Sequence, residues 1–374
     1  MLLWSIVMIR QQGKHLWFLQ QKKTKWLLAA ILLWVLLVLL DGFRTNNIET
    51  WMNEALLKVS LLIVPIYALL LPRDTCGARN SWLIFAIVTT SVALISVVNY
   101  GVHYEEINAL LLQSKHVPIF GNMHHIYFGV FMSLTIWLCY FYYLKHTYKK
   151  LWLTLGVLLL CFLHILASRT GLVAFYLGTL VFLLTYAWQS KRFKLVIVGV
   201  SVLLMLPVLG YTLSKSFKNK VTNSVEDLRA VKSGADINYK SLAMRIEAWK
   251  TSGRIISNNL LIGVGSDNVT NEMQLQYARD ETVLYRENRV GPHNQFIEIT
   301  IAHGILGGIL LVIIVLFWLT IFRTSPIKMA MATVLIVSFF LESFLERQQG
   351  ILVFSFFLFS FIPLPSREKK DTQD

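Results

Sequence analysis

Residues 151–213 read LWLTLGVLLLCFLHILASRTGLVAFYLGTLVFLLTYAWQSKRFKLVIVGVSVLLMLPVLGYTL. Three apolar runs, 151–167, 171–188 and 195–213, are separated by the turn Ser168-Arg169-Thr170 and by the basic break Lys191-Arg192-Phe193-Lys194. Each run is near the ~20 residues that a helix needs to cross a bilayer. In lipid the backbone amides of such a run are satisfied only within a helix or a closed barrel, and runs this long without alternation are helical. The stretch is therefore a helical hairpin, closed by a turn that carries one arginine, followed by a third span.

Outward from it, further runs of spanning or near-spanning length lie at 26–40, 56–71, 81–98, 126–144, 296–322, 329–344 and 351–363. The fold class is all-α, a polytopic transmembrane bundle of about ten helices. The runs 26–40 and 351–363 are short, and residues 1–9 read as the remnant of another helix. Composition agrees: 55% of the 374 residues are apolar, only 15% are charged, and mean hydropathy is +0.57, which excludes a soluble domain. The net charge of +14 lies in short clusters between the apolar runs rather than on one soluble face, so no nucleic-acid partner is expected. Cys76, Cys139 and Cys161 have no metal-ligand spacing and support neither a disulfide framework nor a zinc site.

Placing the basic stretch before the first run in the cytoplasm and alternating sides orients every short loop consistently. Segments 10–25, 72–80, 145–150, 189–194, 323–328 and 364–374 hold 18 Lys and Arg, whereas the short outer segments hold only Arg44, Lys115, Arg169 and Arg347. That asymmetry is the positive-inside signature. Twelve more basic residues lie in one long segment, 214–295, which the alternation places outside, and long translocated loops escape the charge bias. Three parts result: N-terminal spans 1–213, a large outer loop 214–295 that carries the chemistry, and C-terminal spans with a cytoplasmic tail, 296–374.

Within the loop, Leu242, Ile246, Trp249 and Ile256 share one stripe at helical spacing, which predicts an amphipathic helix lying along the membrane surface with Arg245 at the edge of the stripe. Gly263-Val264-Gly265 breaks it, and Gly291-Pro292-His293-Asn294 leads into the next span. No GxxxxGK[ST], HExxH, CxxC or GxSxG is present. The outer loops also lack an Asp-x-Asp pair for a divalent cation, so neither metal nor cofactor is expected, and any phosphorylated substrate would rely on arginine. Arg169, Arg245 and His293 are the candidate site. Each has a plainer alternative: Arg169 as a snorkelling helix anchor, Arg245 as the polar flank of a surface helix, His293 as the cap of the following helix. His124, His125 and Tyr127 at the start of the fourth span, and Glu342, Glu346 and Arg347 near the outer end of the ninth, are secondary candidates; Gly304 and Gly308 read as a close-packing step.

The order Ser168-Arg169-Thr170-Gly171-Leu172, then Arg245 with Trp249, then Gly263-Val264-Gly265, His293-Asn294-Gln295-Phe296 and Gly304-Ile305-Leu306-Gly307 resembles the O-antigen ligase and O-antigen polymerase superfamily, in detail over about 165–310. The resemblance implies a GT-C-like bundle in the bacterial inner membrane with its active loop periplasmic. The implied reaction moves a glycan from undecaprenyl diphosphate to an acceptor hydroxyl: lipid A-core for a ligase, a second lipid-linked repeat unit for a polymerase, or a protein for an oligosaccharyltransferase. It assigns diphosphate binding to Arg169 and Arg245 and the catalytic base to His293. Members generally have a few more N-terminal helices, so the N-terminus is expected to be shortened or to start late. The alternative of another class, a polysaccharide transporter or flippase, would show repeated halves with broken helices and midplane charges. Lys58 is the only Lys or Arg within a span, and no repeat is evident.

Overall fold

A computed structural model describes residues 22–45, 47–70, 75–113, 115–145 and 148–360. The expected remnant helix at 1–9 and the cytoplasmic tail lie outside the described residues. Among the described residues the chain forms fourteen α-helices and no strand. They are α1 (Lys22–Leu40), α2 (Ile48–Leu70), α3 (Thr75–Val102), α4 (Tyr104–Leu112), α5 (His125–Lys145), α6 (Lys149–Leu166) and α7 (Arg169–Ser190). Then follow α8 (Lys194–Leu213), α9 (Lys215–Ser233), α10 (Ser241–Asn258), α11 (Val269–Arg279), α12 (Gln295–Phe322), α13 (Pro326–Leu341) and α14 (Gln348–Ser360). Seven of these, α1, α3, α5, α6, α7, α8 and α12, are long and apolar enough to cross a bilayer. The other expected spans fall on α2, α13 and α14, of which the last two are shorter apolar helices. The protein is a polytopic helical bundle.

Its hub is α5. Buried residues make up 78% of that span against 6% for α8, so α5 is the central post and α8 the peripheral, lipid-facing one. Helix α7 lies along α13 and crosses α5, which also packs on α6 and α3; α14 pairs with α2, and α12 with α1. With lipid on the outside, such contacts depend on close packing rather than on hydrophobic exclusion of water. The α5–α7 crossing shows it: a Cβ built on Gly171 would lie 2.5 Å from the carbonyl carbon of Gly129. The Ser133 hydroxyl donates to the carbonyls of both glycines, at 2.9 Å to Gly129 and 2.8 Å to Gly171.

The long segment between α8 and α12 packs against the bundle through α10 and α11 on α12. Helices α9, α10 and α11 build a second, smaller core from Ala230, Ala248, Ile255, Val269, Met273 and Tyr277, among others. The deepest face of α10 is its small-residue face, Ala243, Ala248, Thr251, Ser252 and Ile255. The predicted stripe of Leu242, Ile246, Trp249 and Ile256 is only half-buried. The correction has a steric cause: small side chains let α10 approach α9 and α11 closely, and Ile256 packs only partly buried against that core.

The reading of Gly304 and Gly308 as a helix-packing step is also corrected. Helix α12 is broken at His303 and Gly304, with Gly304 at φ 65 and ψ −161, a conformation essentially restricted to glycine. The loop after α10 fills the break. Val264 and Gly265 donate their amides to the carbonyls of Ile301 and Ala302, both at 2.9 Å, and Ile305 donates to Leu260 at 2.7 Å. Arg44 reaches the same joint at the carbonyls of Ile262, Gly263 and Ala302. The Gly263-Val264-Gly265 motif and Gly304 are thus two halves of one latch that docks the outer loop onto a span. A Cβ on Gly304 would sit 2.4 Å from the Leu261 carbonyl oxygen. Gly304→Ala should therefore cost about 2–4 kcal/mol through strain and overlap, read as a lower melting temperature in detergent. Gly253→Ala on α10, where an added Cβ meets nothing within 4 Å, should melt like the parent or slightly higher. Equal melting of the two variants would contradict the latch.

Candidate functional site

Four backbone devices aim side chains at one place between the bundle and the outer loop. The α5–α7 crossing sets Arg169, the first residue of α7, after Ala167 in the left-handed region at φ 47. The Ser168 hydroxyl pins that turn to the His125 carbonyl at 3.0 Å. Helix α10 presents Arg245 and, one turn later, Trp249, whose indole N–H donates to the Pro292 carbonyl at 2.8 Å. That bond holds the loop in which His293 sits at φ 46, a left-handed conformation uncommon for a residue with a side chain. Finally, α13 ends at Leu341, and Glu342 follows in extended backbone.

Glu342 is the centre. His293 Nδ1 lies 2.9 Å from Glu342 Oε1 and 3.0 Å from Oε2. Arg245 Nη2 donates to Oε2 at 3.2 Å, and its Nη1 donates to the Leu341 carbonyl. The carboxylate is only 6% exposed. Burial alone would raise its pKa, but the His293 hydrogen bond and the charges of His293 and Arg245 outweigh burial and hold it below the usual carboxylate range. An ionised Glu342 accepts only, so the proton between the two residues belongs to His293 Nδ1, and in the neutral imidazole the lone pair is then on Nε2. This is the arrangement that orients an imidazole as a base and stabilises the imidazolium it becomes. Burial pulls the Arg245 guanidinium down and Glu342 pushes it back; guanidinium remains a cation throughout.

The plainer readings of Arg245 and His293 do not survive this geometry. Asn294, not His293, caps α12, its side-chain oxygen accepting from Phe296 N at 2.9 Å and Ile297 N at 3.2 Å. Arg245 is no flank residue, its side chain being 15% exposed. Arg169 does not join the Glu342 carboxylate. Its Nη1 lies 3.8 Å from Asp227 on α9, a carboxylate already engaged by the Leu242 amide at 2.9 Å. Its positive charge nevertheless opposes that of Arg245, so the two guanidinium groups approach one region from different elements. His124 completes that region, with Glu342, Arg347, His293 and Arg245 within electrostatic reach, and burial lowers its pKa.

Behind Glu342, the loop to α14 is held at nearly every residue. Ser343 donates to Glu298 at 2.7 Å, the Leu345 amide to Gln295 at 2.6 Å, and Gln295 in turn to Glu346 at 2.7 Å. Lys58, 2% exposed, donates to the Leu345 carbonyl at 2.8 Å and pairs with Glu346. Lys58 is therefore the brace of the loop that carries Glu342. Tyr127 stacks on Phe344 with centroids 4.8 Å apart and directs its hydroxyl at the same loop.

Sequence reading named Arg169, Arg245 and His293 as candidates and set Glu342 among the secondary ones. It missed Asp227, whose only signal was a carboxylate on a half-buried polar helix. If Glu342 is the shared anion, Glu342→Ala should destabilise the protein by about 3 kcal/mol or more by leaving Arg245 buried and unpaired. Arg245→Met added to it should recover much of the loss. Additive melting shifts in this double-mutant cycle would show that the pair is not coupled.

Comparison with known proteins covers part of the chain, and Glu342 lies outside that part. No curated protein matches the chain. The O-antigen ligase family model matches residues 154–312, from within α6 through α12, a range that contains Arg169, Arg245 and His293. Residues 154–312 of this multi-pass membrane protein thus form an O-antigen ligase family domain.

Proposed function

We propose that this protein is a glycosyltransferase that moves a glycan from undecaprenyl diphosphate to an acceptor hydroxyl, with lipid A-core as the acceptor, on the periplasmic face of the inner membrane. The observation that carries the reading is the Glu342-held His293 beside two cations of independent origin. A base alone would suit many reactions, and arginines alone would suit simple binding. Together they fit attack by a hydroxyl on a carbon whose leaving group is a multiply charged phosphate.

The step follows from these groups. The acceptor O–H gives its proton to His293 Nε2 as its oxygen bonds to the anomeric carbon. The bond from that carbon to the diphosphate oxygen breaks, and the diphosphate departs with the electron pair. Charge grows on the phosphate oxygens in the transition state, where Arg169 and Arg245, already oriented by Asp227 and Glu342, stabilise it without reorganising. Glu342 stabilises the imidazolium formed at His293. The cations come from side chains, so the reading includes independence from divalent metal. The 18 to 4 split of basic residues between the short segments supports a periplasmic loop.

The transporter alternative draws on one feature absent from the sequence reading, the break in α12. Helix breaks in transporters expose carbonyls to an ion or substrate, whereas here Ile301 and Ala302 are already bonded by Val264, Gly265 and Arg44. The break is a docking joint.

Reconstituted with an undecaprenyl-diphosphate glycan and lipid A-core, the protein should transfer glycan in the presence of EDTA. His293→Ala should lower turnover by a factor on the order of 10²–10⁴ while leaving donor binding nearly intact. No transfer to lipid A-core but elongation of the lipid-linked glycan would replace the acceptor assignment with a polymerase. Turnover restored only by Mg²⁺ or Mn²⁺ would defeat metal independence, and a fully active His293→Ala would defeat the base.

A further inference from the structure

Lys220 on α9 is 7% exposed, yet among the described residues it forms no ion pair with a carboxylate; its ammonium donates to the Lys115 carbonyl. A buried cation without an anion costs several kcal/mol, so a fold that keeps one has a use for it. Neighbouring side chains of the same helix explain how it is kept. Asn219 and Asn223 bond to Asn108 and to the Leu111 carbonyl, at 3.4 Å and 2.8 Å, and so hold α9 against α4 with Lys220 between them. The nearby carboxylate, Asp227, is taken by Arg169 and the Leu242 amide. Lys220 and Arg169 consequently oppose each other as like charges.

Imidazoles line the same corner. His116 stacks on His125 with centroids 3.6 Å apart, and His124 lies 4.7 Å from His125. Nδ1 of both His124 and His125 is buried without a hydrogen-bond partner in the protein, so the wall has unused polar capacity. Burial, then the charge of Lys220, drives His116 down to about 4, and burial, then Arg169, brings Lys220 down to about 8. Burial dominates both shifts, and in each the next cause is a neighbouring positive charge, a repulsion left standing in the pocket. An anion would relieve it.

Resting on the proposed donor, we infer that Lys220 and the His116–His125 stack hold the lipid-side phosphate of the diphosphate, Arg245 holds the sugar-side phosphate, and Arg169 lies between them. The direction comes from the fold. Helix α9, which carries Lys220 in its second turn, follows α8 through the single residue Ser214, and α8 is the least buried of the described spans, so a polyprenyl tail would enter from that side. Arg245 shares Glu342 with His293, so the sugar carbon must lie at that end. Diphosphate polarity is then fixed by one lysine and one arginine on different helices.

The test measures binding of polyprenyl diphosphate and polyprenyl monophosphate to the full chain in nanodiscs. Lys220→Gln keeps a donor for the Lys115 carbonyl and removes the charge; it should weaken both lipids by about 10- to 100-fold, the loss of one charge-assisted phosphate contact. Lys220→Arg should restore most of the affinity, and Arg245→Lys should weaken the diphosphate while sparing the monophosphate. Unchanged binding by Lys220→Gln, or a monophosphate that depends on Arg245 rather than Lys220, overturns the assignment while leaving the donor reading intact. Failure of the wild-type chain to bind the diphosphate removes the donor reading and this inference with it.

Discussion

A carboxylate buried at the end of α13 organises the site, because Glu342 is the only described residue that both Arg245 and His293 bond. An unpaired guanidinium or carboxylate at that depth would cost several kcal/mol, so the three side chains are stable only as a set. That mutual need draws together a helix of the outer loop, the entry to α12 and the exit of α13. In the proposed function it also orients His293, since Glu342 accepts from Nδ1 and leaves Nε2 for the acceptor. Everything else in the architecture keeps this carboxylate in place. Lys58 and Gln295 brace the loop behind it, Trp249 holds the backbone before His293, and the latch at Gly304 fixes the outer loop to the span.

Charge at the site is asymmetric in a way that bears on function. Arg169, Arg245 and Lys220 face a region whose described carboxylates, Asp227 and Glu342, are each already committed to a partner. In a half-buried setting such a surplus favours a ligand with more than one negative charge. Arginine suits it better than lysine where two oxygens must be gripped in a plane, and lysine suits a single compact phosphate. In the proposed assignment the two kinds of cation have different tasks.

Most of the bundle was legible because lipid allows few backbone solutions, and apolar runs with basic breaks announce them directly. Arg169 and His293 stood out as candidates because each sits at a chain reversal beside an apolar span, and Arg245 because it borders the apolar stripe of α10. What was hidden depended on tertiary pairing. Glu342 ends an apolar run and resembles a solvated terminus until α10 brings Arg245 to it. Gly304 looked like a packing glycine because a helical period continues on both sides of it, and only the backbone angle separates a latch from a smooth helix. On α10 the large apolar residues dominated the periodic signal, while close approach was made by Ala248, Thr251 and Ser252. Lys220 and the His116–His125 stack were illegible because they come from segments about a hundred residues apart.

The central claim is that the site between bundle and outer loop grips a diphosphate with its sugar end toward His293. A cryo-EM structure of the chain in nanodiscs with a polyprenyl diphosphate-linked sugar tests it directly. The account predicts phosphate density within hydrogen-bonding distance of Arg169 and Arg245, with the anomeric carbon on the Nε2 side of a His293 still bonded to Glu342. A lipid diphosphate bound elsewhere, or bound here with Glu342 turned away from His293, would contradict it.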